Sequence, residues 1–170
     1  MLYDSGAGTT AGLTVFDNEF EDKITRVACP SCGPLNSSGR VPTTNISVDN
    51  AITRGLEASL GTQLSRALRL KTNYTFTKSE QKSGQFAGLP LNQLPRHLFN
   101  VSLDWSPTGQ LNGWLKASYR GKESAPTGGA SSGSFTQKSY TMLDLGGSYK
   151  LSKTVTLYAG IYNLLDKRVD

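Results

Sequence analysis

The chain has 170 residues, of which 36% are hydrophobic, with 18 glycines and a formal net charge of +5. That apolar share is below the roughly 45–50% usual for globular domains, and there is no run of about 18 apolar residues, which excludes a membrane-spanning helix. It does not exclude a β-barrel, whose strands need apolar residues only at alternate positions. Lys and Arg are scattered singly, without a cluster or recognition motif, which argues against a nucleic-acid partner.

Met1 to Gly6 carries no basic region followed by an apolar one, so no signal peptide is read there. Leu13 to Phe20 is rich in β-branched and aromatic residues and reads as a strand continuing toward Ile24 or Val27. Its faces are ambiguous, because Leu13 and Val15 have opposite parity to Phe16 and Phe20. Ala28 to Asn45 is thick with Pro, Gly, Ser, Thr and Asn and reads as a long loop. It contains the two cysteines, Cys29-Pro30-Ser31-Cys32. A redox pair normally opens a helix and a zinc site needs a second pair. Loop residues follow here, so a small disulfide between Cys29 and Cys32, pinning an exposed loop in an oxidising compartment, is expected.

Ile46 to Leu70 admits two readings. Ile52, Leu56, Leu60, Leu64 and Leu68 recur every fourth residue, as on an amphipathic helix, whereas Gly55, Gly61, Thr53 and Thr62 lower helix propensity. As strands, Leu56, Ala58 and Leu60 oppose Gly55, Glu57 and Ser59, and Thr62 to Ala67 forms a connection. Beyond it the alternation is clear. Leu68, Leu70, Thr72, Tyr74 and Phe76 share one face against Arg69, Lys71, Asn73, Thr75 and Thr77. A polar connection, Ser79 to Pro95, leads to Phe99, Val101, Leu103 and Trp105 opposite Asn100, Ser102 and Asp104. A Pro-Gly turn follows at Ser106 to Gln110. Leu111 to Gly121 and Tyr140 to Leu151 repeat the pattern around Lys122 to Lys138, whose Thr127 to Ser134 tract reads as a mobile loop rather than a linker. Ser152-Lys153 turns the chain into a last segment, Val155 to Tyr162.

About seven strands of roughly ten residues match the length of tilted transmembrane strands. Long connections alternate with short ones, and Arg69, Lys71, Asp104, Lys116, Arg120, Asp144 and Lys150 all fall on the polar face. The fold class expected is all-β, an antiparallel transmembrane β-barrel segment with long extracellular loops and short periplasmic turns. A self-contained soluble or adhesive β-sandwich binding domain is the alternative, since its strands alternate too.

Six phrases in order carry a resemblance: Phe16 with Asp22-Lys23-Ile24; Asn50-Ala51-Ile52 with Arg54-Gly55-Leu56-Glu57; Asn73-Tyr74-Thr75-Phe76; Leu94-Pro95-Arg96-His97 with Asn100 and Leu103-Asp104-Trp105; Tyr119-Arg120-Gly121-Lys122; and Gly160 to Arg168, with Asn163-Leu164-Leu165-Asp166-Lys167 the most specific. Together they resemble the carboxy-terminal barrel of TonB-dependent outer-membrane receptors, in the branch of the ferric-enterobactin and colicin I receptors. The resemblance implies that Ile46 to Leu70 is two strands and a turn. It implies that residues 1–170 are part of a 22-strand barrel, without its plug, TonB-contacting box or closing strand. It further implies a Gram-negative outer membrane as location, with membrane lipid, a ferric catecholate siderophore, and the TonB complex (through the receptor's amino-terminal part) as partners. No cofactor and no metal of the protein's own is expected; the ferric siderophore is cargo.

A ferric catecholate complex is anionic and aromatic, so cations beside aromatic rings suit it. Arg40, Arg96, Arg120 and Lys122 near loop ends, and Trp114 on the polar face, are the candidates, with Tyr140 and Phe135 in reach. Arg96 and Arg120 have a competing role as partners of neighbouring carboxylates. Tyr74, Phe76, Tyr119 and Tyr149 suit interfacial anchoring. His97 is the only histidine, so a hydrolase such as an outer-membrane phospholipase would need it with Asp104 and a serine, but their parities are opposite. An enzyme is not expected. An open wall of about seven strands leaves unpaired edge amides that lipid does not tolerate, so cells bearing only these residues are expected to show no ligand-dependent uptake in a radiolabelled iron assay.

Overall fold

A computed structural model describes residues 1–83, 87–125 and 135–168. The strands are β1 (Leu2–Asp4), β2 (Thr9–Ala28), β3 (Thr43–Ser65), β4 (Leu68–Gln81), β5 (His97–Trp105), β6 (Leu111–Arg120), β7 (Glu123–Ala125), β8 (Phe135–Gln137), β9 (Tyr140–Lys150) and β10 (Thr156–Ile161). Eight of them form one antiparallel meander in the order β1-β2-β3-β4-β5-β6-β9-β10, while β7 and β8 pair as a small hairpin between β6 and β9. The Thr127 to Ser134 tract read as a mobile loop lies outside the described residues.

Cross-strand register sorts the side chains into two surfaces. One row runs Leu13, Ala58, Tyr74, Phe99, Tyr119, and another Leu70, Leu103, Leu115, Leu145, Ile161. The opposite surface carries Lys71, Ser102, Lys116 and Asp144 in one row and Arg69, Asp104 and Trp114 in the next. The ambiguity in β2 resolves in the same way: Leu13 and Val15 take the apolar side opposite Ala58 and Leu56, whereas Phe16 lies opposite Gly55 on the other. Phe16 accounts for that glycine. A β-carbon at position 55 would approach the Phe16 ring to 2.7 Å and collide with the Phe76 carbonyl oxygen.

No dry interior exists among the described residues. Among the described residues only Ala51, Ile52 and Leu91 are buried hydrophobics, while Val15 is 78% exposed and Leu157 54%. Two sheets clasping these side chains would have buried them, so the sandwich alternative fails. The nine residues of β5, at about 3.3 Å each and tilted by about 40°, give a wall roughly 23 Å high. That height fits an apolar band of about 25 Å facing hydrocarbon. Trp105 and Tyr149 mark its lower rim. At the upper rim Tyr74, Phe76, Phe99 and His97 cluster, with centroids 5.3–6.5 Å apart and the Tyr74 hydroxyl 2.8 Å from His97 Nδ1.

Above that rim the outward surface changes character. Asp17, Arg54 and Lys78 form the next row, with an Arg54–Asp17 ion pair of 2.9 Å. β2, with 20 residues, and β3, with 23, therefore continue well beyond the apolar band. Ten-residue strands underestimated them, because hydrophobic alternation marks only the part of a strand that meets lipid. The connection read as Thr62 to Ala67 shrinks to Arg66-Ala67, with a register shift between Gln63 and Ser65. Short turns at residues 5–8, 66–67, 106–110 and 151–155 lie at one end of the wall, and the long connections 29–42, 82–96 and 121–139 at the other.

Replacing Val101, at mid-height on the outward face, by Arg is expected to destabilise the barrel by about 2–4 kcal/mol. Asn100→Arg, on the inner face, is expected to cost less than about 1 kcal/mol; urea titration of the whole barrel in lipid vesicles compares them.

Candidate functional site

Among the described residues the inner wall carries one weak, solvated ion pair and an aromatic platform. Lys71 reaches Asp104 at 3.3 Å, both side chains being about half exposed, so the pair adds little stability. Trp114 lies against Gly146, where a β-carbon would come within 2.6 Å of its ring. Lys116 Nζ sits 5.1 Å above that ring and Tyr162 packs at 6.0 Å between centroids.

At the long-loop end the wall becomes a cleft of about 420 Å³, lined in part by Thr77, Arg96, His97, Lys122, Glu123 and Ser124. The ladder reaches into it: the Thr77 amide donates to Arg96 O at 2.9 Å, and the Gly121 amide to His97 O at 2.7 Å. Arg120, at the end of β6, donates through Nε and Nη2 to Glu123 Oε2 at 3.1 and 2.6 Å, and through Nη2 to Gln93 O at 3.2 Å. The Glu123 side chain is 6% exposed. The Gln93 amide in turn donates to Ser124 O at 2.6 Å.

The structure thus gathers Arg96, Arg120 and Lys122 around one mouth, with Tyr140 opposite Arg120 in the ladder. It does not bring Arg40 or Trp114 there. Arg40 is exposed on the 29–42 connection, in a turn where Asn36 Oδ1 accepts the Ser38 and Arg40 amides. Cys29 and Cys32 form a disulfide at the base of that loop, where the Cys29 amide also donates to Pro42 O. Trp114 stands six residues below Arg120 on β6, about 20 Å down the strand. Phe135 begins β8, paired with Ala125. His97 faces Tyr74 at the outer rim, while Asp104 opposes Arg69 and pairs with Lys71 on the inner wall, so no triad forms between them. Sequence reasoning missed Glu123 and Gln93. The spacing from Arg120 to Glu123 was a usable signal; Gln93 acts through its backbone at φ 59°, which its residue type does not announce.

Residues 2–164 match the family model "TonB dependent receptor-like, beta-barrel". The chain belongs to that family. It is 49% identical to the iron-regulated outer membrane virulence protein of Vibrio cholerae, over 100% of this chain and 26% of that protein. It is 31% identical to the ferric enterobactin receptor of Pseudomonas aeruginosa, over 95% and 23% respectively. The structure of a Pseudomonas aeruginosa ferric enterobactin receptor mutant in complex with enterobactin superposes with a TM-score of 0.74 at 28% identity, over 98% of this chain and 25% of that one. The receptor chain thus spans about a quarter of the length of these relatives, and its wall is an outer-membrane barrel wall.

Within the receptor, the Asn163-Leu164-Leu165-Asp166-Lys167 phrase closes a turn beyond β10. The Asn163 amide donates to Asp144 Oδ1 at 2.8 Å, its side-chain Oδ1 accepts the Lys167 amide at 2.9 Å, and its Nδ2 donates to Lys167 O at 3.1 Å. Asn163 and Asp166 adopt φ of 53° and 46°, a conformation that Asn and Asp tolerate better than most residues. Asn163→Ala is expected to raise hydrogen exchange at the Lys167 amide at least tenfold, leaving the β9 amides protected, as read by exchange mass spectrometry on the whole receptor.

Proposed function

We propose that this segment forms the carboxy-terminal barrel part of a receptor for ferric catecholate siderophores, and that its contribution to binding is the cleft at the mouth. The observation that carries the reading is the pairing state of the cations there. Arg120 is neutralised by Glu123, whereas Arg96 and Lys122, and Lys78 at the outer side of the same cleft, have no carboxylate partner among the described residues. Three such cations amid hydroxyls from Thr77, Ser79 and Ser124 suit an anionic, oxygen-rich ligand. The relatives named for ferric enterobactin agree with that chemistry.

In this reading the ferric complex is cargo, no cofactor takes part and the segment catalyses nothing. Energy reaches the receptor from the TonB complex through parts outside this segment. Trp114 and Arg40 lie away from the first point of capture.

In the receptor that carries this segment, Arg96→Ala and Lys122→Ala are each expected to weaken ferric enterobactin binding about tenfold, the loss of one charge-assisted contact. Both variants should also flatten its salt dependence, while Trp114→Ala leaves the affinity within about twofold. Equilibrium binding at several ionic strengths measures this, and a double variant that binds like the unmodified receptor would exclude the reading.

A further inference from the structure

We propose that Arg120 is a positioning residue rather than a ligand contact: with Glu123 it latches the 87–96 segment onto β7, and that latch helps hold Arg96 at the mouth that Lys122 also lines. The ligand part of this inference rests on the reading given above; the latch itself does not.

The segment before β5 is tied down on two sides. Toward β4, the Gln81 amide donates to Leu89 O at 2.8 Å, Gln81 Nε2 to Pro90 O at 3.2 Å, and the Leu91 amide to Ser79 Oγ at 3.0 Å. Toward β7, Asn92 bridges Ser124 in parallel fashion and the Gln93 amide donates to Ser124 O. Arg120 clamps the β7 side, because one guanidinium holds both Glu123, the neighbour of Ser124, and the Gln93 carbonyl of the segment. A planar fork with several donors can do this, whereas a lysine ammonium on a flexible stem is poorly suited. Gln93 is held at φ 59°, a backbone state that an untied loop would leave. Three residues later comes Arg96, whose carbonyl is fixed by Thr77.

The burial of Glu123 decides between latch and ligand contact. Its side chain is 6% exposed and its charge is answered by Arg120. Swinging Arg120 toward an incoming anion would leave that carboxylate buried and unpaired, which is among the more costly changes a folded protein can make. The pair therefore stays closed while Arg96 and Lys122, both exposed, meet the ligand.

Glu123→Gln separates the two roles by sign. If Arg120 were a ligand contact competing with Glu123, this isosteric change would free it and tighten ferric enterobactin binding. As a latch, the variant is expected to speed amide exchange over residues 87–93 at least tenfold in the unliganded receptor and to weaken binding about fivefold. Arg120→Gln/Glu123→Gln, which keeps net charge constant, is expected to do the same with the salt dependence unchanged. Arg120→Lys should restore part of the protection. Heat-modifiable gel migration verifies that each variant barrel is assembled. Unchanged exchange over residues 87–93 in both glutamine variants, or tighter binding by Glu123→Gln, would overturn the proposal. If the unmodified receptor fails to bind ferric enterobactin, the functional reading falls alone and the exchange measurement still decides the latch.

Discussion

Everything in this wall follows from one constraint: a backbone amide in hydrocarbon has no water to bond to, so the sheet must supply every partner itself. The ladder runs unbroken from β1 through β6 to β9 and β10, and each strand pairs with its sequence neighbour save where the β7–β8 hairpin intervenes. Nearest-neighbour antiparallel pairing needs only tight turns at one end, which is why the periplasmic connections are short. The same constraint gives the outer strands their meaning. All six residues of β10 are exposed, and such an edge is compatible with lipid only inside a closed ladder.

Once the backbone is satisfied, side chains are free to divide by solvent. The outward rows hold Leu, Val and aromatic residues to a height matching the hydrocarbon, then give way to Asp17, Arg54 and Lys78 where water returns. Inward, charges stand in register without strong coupling, because each is solvated. The proposed site lies where the hydrocarbon constraint lapses. Above the rim the chain can leave the sheet, fold back and present cations, and there a well-buried carboxylate, Glu123, becomes worth keeping for the geometry it enforces. At the mouth, side-chain pairing joins the backbone hydrogen bonds in setting the shape.

How far the sequence could be read depended on which solvent wrote each pattern. Phe99 to Trp105 and Leu68 to Phe76 were legible because lipid and water impose a period of two on consecutive residues. Phe16 escaped that rule because its inward neighbour is Gly55, whose missing β-carbon makes room for a ring. The upper halves of β2 and β3 lie above the apolar band and lack the alternation that lipid imposes; Ala51, Ile52 and Thr53 are buried there in succession, without a period of two. β1, three residues long beside Gly6 and Gly8, offered no pattern at all.

By itself, then, the sequence determined the fold class, the two faces, the alternation of long and short connections and the family, all of which rest on local periodicity or contiguous phrases. Only the tertiary structure decided that Arg96, Arg120 and Lys122 share a mouth, that Trp114 and Arg40 do not, and that Glu123 answers Arg120. The reason is physical. The mouth joins the ends of strands through loops whose path is set by contacts between residues distant in sequence, backbone bonds such as that of Gln93 to Ser124 and side-chain bonds such as that of Arg120 to Gln93, which no local pattern announces.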